Sequence, residues 1–282
     1  MNDDRKEGSP KDTHYATLRR RFRDQKSGEA PVSRPRQSVP PGENAPDGLV
    51  RLYGIHTVRA ALRNGRRKIS RMLVTRNALE RLGADTAALP FPVAVVEPRD
   101  IDKVTGSDTV HQGVLIETRP LQARSLDALG DTGLVVVLDQ VTDPHNAGAI
   151  MRSAVAFGAG ALITTARHSP QETGVLAKSA SGALEHIELI EVKNLADALS
   201  RLHDAGYFTV GLDSEGPAEL ESSFSGSKVA LVLGSEGKGL RQKTRETVSV
   251  LARLDMQGPI ASLNVSNAAA VALYAARRYL DR

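Results

Sequence analysis

The 282-residue sequence contains no cysteine. That absence removes disulfides, thiolate metal sites and cysteine nucleophiles, and makes a reducing cytoplasm the expected setting. No apolar run approaches the roughly 20 uninterrupted residues that a membrane-spanning helix needs, so a soluble protein with no membrane partner is expected. The opening MNDDRKEGSP is charged throughout and lacks the apolar stretch of a secretory signal. The seven histidines are scattered, without a metal-ligand spacing such as H-E-x-x-H, and no metal site is expected. Nor is there a G-x-S-x-G elbow to support a hydrolase.

What is present is enough hydrophobic material, 40% of the residues, for two domains or one large one. Lys plus Arg outnumber Asp plus Glu by 37 to 33, and the sequence pI near 9.4 leans toward polyanionic partners. Residues 1–48 are rich in Pro, Gly, Ser and charge, and read as a flexible tail that cannot offset the entropy of ordering. Within it, residues 11–36 carry eight basic side chains against three acidic ones, a net of +5. A solvated tail and an arm that grips RNA phosphates both account for that composition.

From Leu49 short apolar runs alternate with helical patterns. A helix is expected after Tyr53-Gly54-Ile55-His56, stopping near Gly65, with strands at 69–75, 92–96 and 113–118. These make a small αβ unit over residues 49–120, followed by a connector over 121–133. Leu134-Val135-Val136-Val137-Leu138 is a continuous apolar run, the pattern of a strand buried on both faces of a parallel sheet. Further strands are expected at 161–165, 187–192, 207–212, 229–233 and 248–254, with helices over 147–157, 173–183 and 195–205 between them. Residues 134–282 therefore read as an α/β domain with a largely parallel sheet. The closing segment 265–280 is apolar almost all the way round, so its helix is expected to be buried, by its own core or by a second subunit.

Three loops at predicted strand ends concentrate the unusual residues, and strand ends are where ligands bind in open α/β sheets. The first, Asp143-Pro144-His145-Asn146, leads into a helix that carries Arg152. Asn146 sits where an N-cap belongs, and capping alone explains it. Arg152 lies off the face marked by Ile150, Ala154 and Phe157, and is either a plain surface charge or a contact to a ligand or partner.

The second loop, Gly234-Ser235-Glu236-Gly237-Lys238-Gly239, follows the strand at 229–233. It fails as a phosphate loop, because Val232 stands where the first Gly belongs and Gly239 replaces the Ser or Thr after Lys238. A tight turn whose Glu caps the following helix accounts for these residues equally well. The third, Ser262-Leu263-Asn264-Val265-Ser266, opens the last helix, and Ser262, Asn264 or Ser266 could serve as its cap. Lining a pocket is the functional alternative.

In this order and spacing the three loops resemble the signature motifs of the SPOUT superfamily of RNA methyltransferases, in its TrmH branch of 2′-O-ribose methyltransferases. The Tyr53-Gly54-Ile55-His56 and His111-Gln112-Gly113 segments are similar to the small ribosomal-protein-like RNA-binding domain of the 23S ribosomal RNA guanosine enzymes in that family. The resemblance covers Leu49 to Arg282. It implies an α/β fold with a trefoil knot in the C-terminal domain, preceded by the small RNA-binding domain and a disordered tail. It also implies a homodimer that acts on RNA and not on DNA.

By the same resemblance, S-adenosylmethionine (AdoMet) is the cofactor, held around Gly234, Leu254 and Leu263. Asn146, Arg152, Glu236, Ser262 and Asn264 carry over as the catalytic and substrate-positioning set. The implied substrate is ribosomal RNA, with transfer RNA as the alternative, and a non-catalytic ribosomal RNA-binding assembly factor is the reading from a different class. The reaction requires alignment of sulfonium and ribose hydroxyl, which contributes roughly 7–11 kcal/mol. The family's arginine at the position of Arg152 either takes the proton or grips a phosphate and lowers the hydroxyl pKa electrostatically.

Overall fold

A computed structural model describes residues 48–167, 169–259 and 262–282. The tail expected over residues 1–48 therefore lies, except for Gly48, outside the described residues.

The first sheet has the order β1-β4-β2-β3, formed by Val50–Tyr53 (β1), Val114–Thr118 (β4), Ile69–Val74 (β2) and Val93–Val95 (β3). Helices α1 (Ile55–Arg63), α2 (Arg76–Leu82) and α3 (Pro98–Thr105) connect its strands. β1 was not expected. Its four residues alternate, with Val50 and Leu52 inward and Arg51 outward beside Glu117 at 3.3 Å, a signal too short to separate from the helix that follows. Helix α1 ends at Arg63, capped by Asn64, just before the expected stop at Gly65.

The second sheet is the α/β layer the sequence predicts. Its order is β7-β6-β5-β10-β8-β11-β9, and every pairing in it is parallel. The strands are Leu134–Asp139 (β5), Ala161–Thr165 (β6), Glu188–Val192 (β7), Phe208–Leu212 (β8), Ala218–Glu219 (β9), Val229–Gly234 (β10) and Val250–Arg253 (β11). β5 is buried over its whole length and β10 up to its last residue, which is why both read as unbroken apolar runs. Leu134, Val136 and Leu138 face one side, into the core shared with α4 (Pro144–Ala156) and α8 (Val265–Leu280). Val135 and Val137 face the other, against Leu195, Leu199 and Leu202 of α6 (Leu195–Asp204). Each large side chain so buried contributes about 1.5–3 kcal/mol.

Helix α5 (Gly174–Ala180) joins the two sheets. The core that contains Val50, Leu52 and Ile116 runs without a break into Leu176 and Ala177. A Cβ at Gly174 would lie 2.5 Å from the Arg51 carbonyl oxygen, so only glycine permits this approach. Beside it, Arg67 is buried with its Nη2 2.6 Å from Glu185 and its Nη1 2.7 Å from Glu172.

The last helix is buried by its own core along Ala269, Ala272, Leu273 and Ala276, while Val271, at 44%, and Tyr274, at 56%, are exposed on another side of α8. One expectation is corrected. The helix expected from Ala147 begins earlier, at Pro144, a residue suited to the first helical position because it has no N–H to satisfy.

Candidate active site

Asp143 precedes α4 and accepts a hydrogen bond from the His145 amide at 3.1 Å, so it is the N-cap. Asn146, expected as the cap, lies instead in the first turn, buried, with its side chain free to bond elsewhere. It donates from Nδ2 to Glu236 Oε1 at 3.2 Å.

Glu236 belongs to the loop after β10. That loop closes on itself through Ser235 N–H to Gly239 O at 3.2 Å and Gly239 N–H to Ser235 O at 2.9 Å. A Cβ at Gly234 would lie 2.2 Å from the Gly239 carbonyl carbon, so the close return of the loop demands glycine there. Gly237 and Gly239 take positive φ of 77° and 64°.

Asn264 caps α8 by accepting the Ser266 amide at 2.9 Å, which selects it from the three candidate caps. Its Nδ2 donates to Asn146 Oδ1 at 3.1 Å and to Glu236 Oε1. Glu236 Oε1 also accepts the Val265 amide at 3.3 Å, so the carboxylate secures the start of α8 rather than the helix that follows its own loop. One carboxylate oxygen of the second loop thus receives three donors from the other two. Charge on that acceptor raises the worth of each bond.

Beside this knot of bonds lies a cavity of about 770 Å³, within the range of small-molecule sites. Gly234, Glu236, Leu254, Ser262, Leu263 and Asn264 all line it. Arg152 does not. It is exposed, with no side-chain partner among the described residues, and stands about 9 Å along α4 from Asn146.

Several residues at the site escaped sequence reasoning. Asp139, fully buried at the end of β5, accepts from the Arg241 amide at 3.0 Å and from Arg241 Nε at 2.6 Å, anchoring the loop at its far end. Asp213 pairs with Arg245 on the cavity wall. A carboxylate that closes a five-residue apolar strand was a legible signal for Asp139. Asp213, next to Leu212 at the end of β8, carried the same signal more weakly.

The SpoU rRNA Methylase family profile matches residues 133–274. A second profile, RNA 2′-O ribose methyltransferase substrate binding, matches residues 51–124. The 23S rRNA (guanosine-2′-O-)-methyltransferase RlmB of Pseudomonas putida is 37% identical over 241 residues, covering 82% of this chain and 96% of that protein. RlmB of Ralstonia nicotianae is 39% identical, covering 80% and 94%. The AdoMet-bound rRNA methyltransferase of Sinorhizobium meliloti superposes with a TM-score of 0.69 at 26% identity, covering 83% of this chain and 88% of that one. The SpoU methyltransferase AviRb of Streptomyces viridochromogenes, with AdoMet, shares the fold at 0.69 and 24% identity, covering 82% and 90%.

The fold is that of an α/β RNA methyltransferase. The chain belongs to the SpoU rRNA methylase family.

The cavity fits the cofactor of such an enzyme. Leu212, Leu233, Leu254 and Leu263 offer apolar walls for an adenine ring, while Asp213, Glu215 and Arg245 offer charge for the polar ends of an amino acid.

Proposed function

We propose that this chain is an AdoMet-dependent methyltransferase that modifies the ribose 2′-hydroxyl of a guanosine in 23S ribosomal RNA. The observation that carries the reading is the convergence of Asn146, Glu236 and Asn264, from three loops remote in sequence, on the rim of the cavity lined by Gly234, Leu254 and Leu263. The substrate follows the RlmB relatives, which this chain matches over nearly their full length.

When bound, the cofactor supplies an electrophilic methyl group on sulfur. The chain's own residues do the rest. Glu236 holds the rims of all three loops together, so Asn146 and Asn264 keep a fixed separation as substrate enters. Ser262, exposed at the cavity mouth, offers a hydroxyl to the incoming ribose. Arg152, exposed and unpaired among the described residues, keeps its guanidinium for the RNA, either as proton acceptor for the hydroxyl or as a grip on the adjacent phosphate.

Residues 49–120 serve as the RNA-binding domain, 121–133 as the linker and 134–282 as the methyltransferase domain. The trefoil knot belongs to the same reading. It is supported by the return of the chain after β11 to the loop after β10, where Val265 bonds to Glu236. A homodimer is supported by the stripe Asn267, Val271, Tyr274 and Arg278, spaced to share one side of α8 and exposed there. Its place of action is the cytoplasm, on RNA rather than DNA.

Incubation with methyl-labelled AdoMet, ribosomal RNA and transfer RNA, followed by nuclease mapping, tests the reading. Label on a 23S guanosine ribose is expected. Label in transfer RNA alone, or RNA binding with no label, contradicts it.

A further inference from the structure

Three consecutive basic residues end the approach to β2, and they divide their work. Arg67 turns inward, buried against Glu185 and Glu172. Arg66 and Lys68 turn outward and are exposed. They meet Arg119 and Arg124 around a groove of about 560 Å³ where the first sheet adjoins β7. Glu188 is the one carboxylate in its lining, and it accepts from Arg66 Nη1 at 3.0 Å and from Arg124 Nη1 at 3.4 Å. Four cations against one carboxylate leave the groove at +3. Lys68 and Arg119 have no side-chain partner among the described residues.

The cations stand on fixed backbone. The Arg119 amide donates to Lys68 O at 3.1 Å, and the Arg124 amide donates to Leu189 O at 2.8 Å, tying the connector to the edge strand. The Arg66 amide donates to Asn64 Oδ1 at 3.0 Å. The buried Arg67 beneath them locks both sides of the groove in place. Such a preformed, unneutralised groove suits a ligand carrying regularly spaced negative charge.

Its position is informative. Glu188 and Leu189 begin β7, whereas the cavity gathers residues from the opposite ends of β8 and β10. Three strand spacings and about five residues of strand separate the two, on the order of 20 Å. On the scale of one strand of duplex DNA, about 3.4 Å per nucleotide, this is on the order of six nucleotides.

Resting on the methyltransferase reading above, we infer that this groove is a second RNA site. It takes the phosphodiester backbone of the same substrate about six nucleotides from the ribose that is modified. Phosphate contacts of this kind fix register and contribute affinity without reading sequence.

Lys68→Gln and Arg119→Gln, singly and together, test it in the full-length protein, since neither side chain holds the fold through a partner. Binding and methylation are measured on a long 23S fragment and on an oligonucleotide with fewer than four nucleotides on either side of the target. On the long RNA the double variant should lower the salt slope of binding by about 2, roughly one per lost phosphate contact, and raise KM on the order of tenfold. AdoMet affinity, kcat and binding of the short RNA should stay as in the wild type. An unchanged salt slope on the long RNA, or an equal loss on the short one, overturns the inference. So does lost binding to polyglutamate with RNA binding intact, which would assign the groove to an acidic protein. A wild type that binds the long RNA but transfers no methyl breaks the methyltransferase reading alone, because the groove's effect is read in binding.

Discussion

Asn146 and Glu236, ninety residues apart in sequence, are joined by a hydrogen bond of 3.2 Å between α4 and the loop after β10. The same carboxylate oxygen accepts from Asn264 Nδ2 and the Val265 amide. Glu236→Gln removes the charge from an acceptor that serves three donors. Hydrogen bonds to charged groups contribute about 1.5–3 kcal/mol, and the lower end applies to an exposed rim residue. Methyl transfer to RNA should fall by at least tenfold, with a smaller loss of AdoMet affinity. Retained kcat in this variant would remove Glu236 from the machinery.

Arg152 lies outside the cavity lining, so its substitution should spare the cofactor. Arg152→Ala is expected to lower kcat/KM for RNA by two or more orders of magnitude while AdoMet affinity, measured calorimetrically, stays within twofold. Arg152→Lys tests whether charge alone is enough at this position. Substantial turnover indicates a pure charge contact, and abolished turnover indicates a need for the planar guanidinium.

How much of this was legible depends on how each signal is written. β5 and β10 are buried on both faces, so their unbroken apolar runs marked both strands within a residue of their ends. β1 was hidden because four alternating residues before Gly54 leave too little period to read. With the helix expected from Ala147, Asn146 stood in the cap position, whereas Asp143 is the cap and Pro144 the first helical residue. Asn264 could not be separated from Ser262 and Ser266 by residue type, since all three can cap a helix and only the folded backbone, which brings the Ser266 amide to Asn264 Oδ1, selects it. The Arg67 clamp left no local trace, because its partners Glu172 and Glu185 lie more than a hundred residues away.

Gly148 packs α4 against α5 so closely that an added Cβ would lie 2.5 Å from Leu176 O and 2.9 Å from the Ala180 nitrogen. Alanine would gain about 1 kcal/mol in helix propensity, but overpacking against backbone that cannot rotate away costs about 1–3 kcal/mol. Gly148→Ala should therefore lower stability in urea denaturation. An increase would show that the two helices separate without penalty.

Burial raises the Glu172 carboxyl above the ordinary glutamate range, with Arg67 pulling the other way. Its Oε1 sits 2.7 Å from Arg67 Nη1 yet out of line for a hydrogen bond, while Oε2 accepts the Leu121 amide at 2.8 Å. A group raised on folding contributes stability that is present below the unfolded value, about 4.3, and is lost as pH rises through the folded value. Glu172→Gln should therefore gain stability relative to the wild type between pH 4 and pH 8. Thermal midpoints that converge toward pH 8 would reverse the assignment.

The central claim is that loops distant along the chain form one cavity for the methyl donor. A crystal structure of the full chain with AdoMet measures this directly. The expected result is cofactor against Gly234, Leu254 and Leu263, with its methyl group directed toward the rim that holds Asn146 and Asn264. Cofactor bound elsewhere, with those residues untouched, would contradict the account.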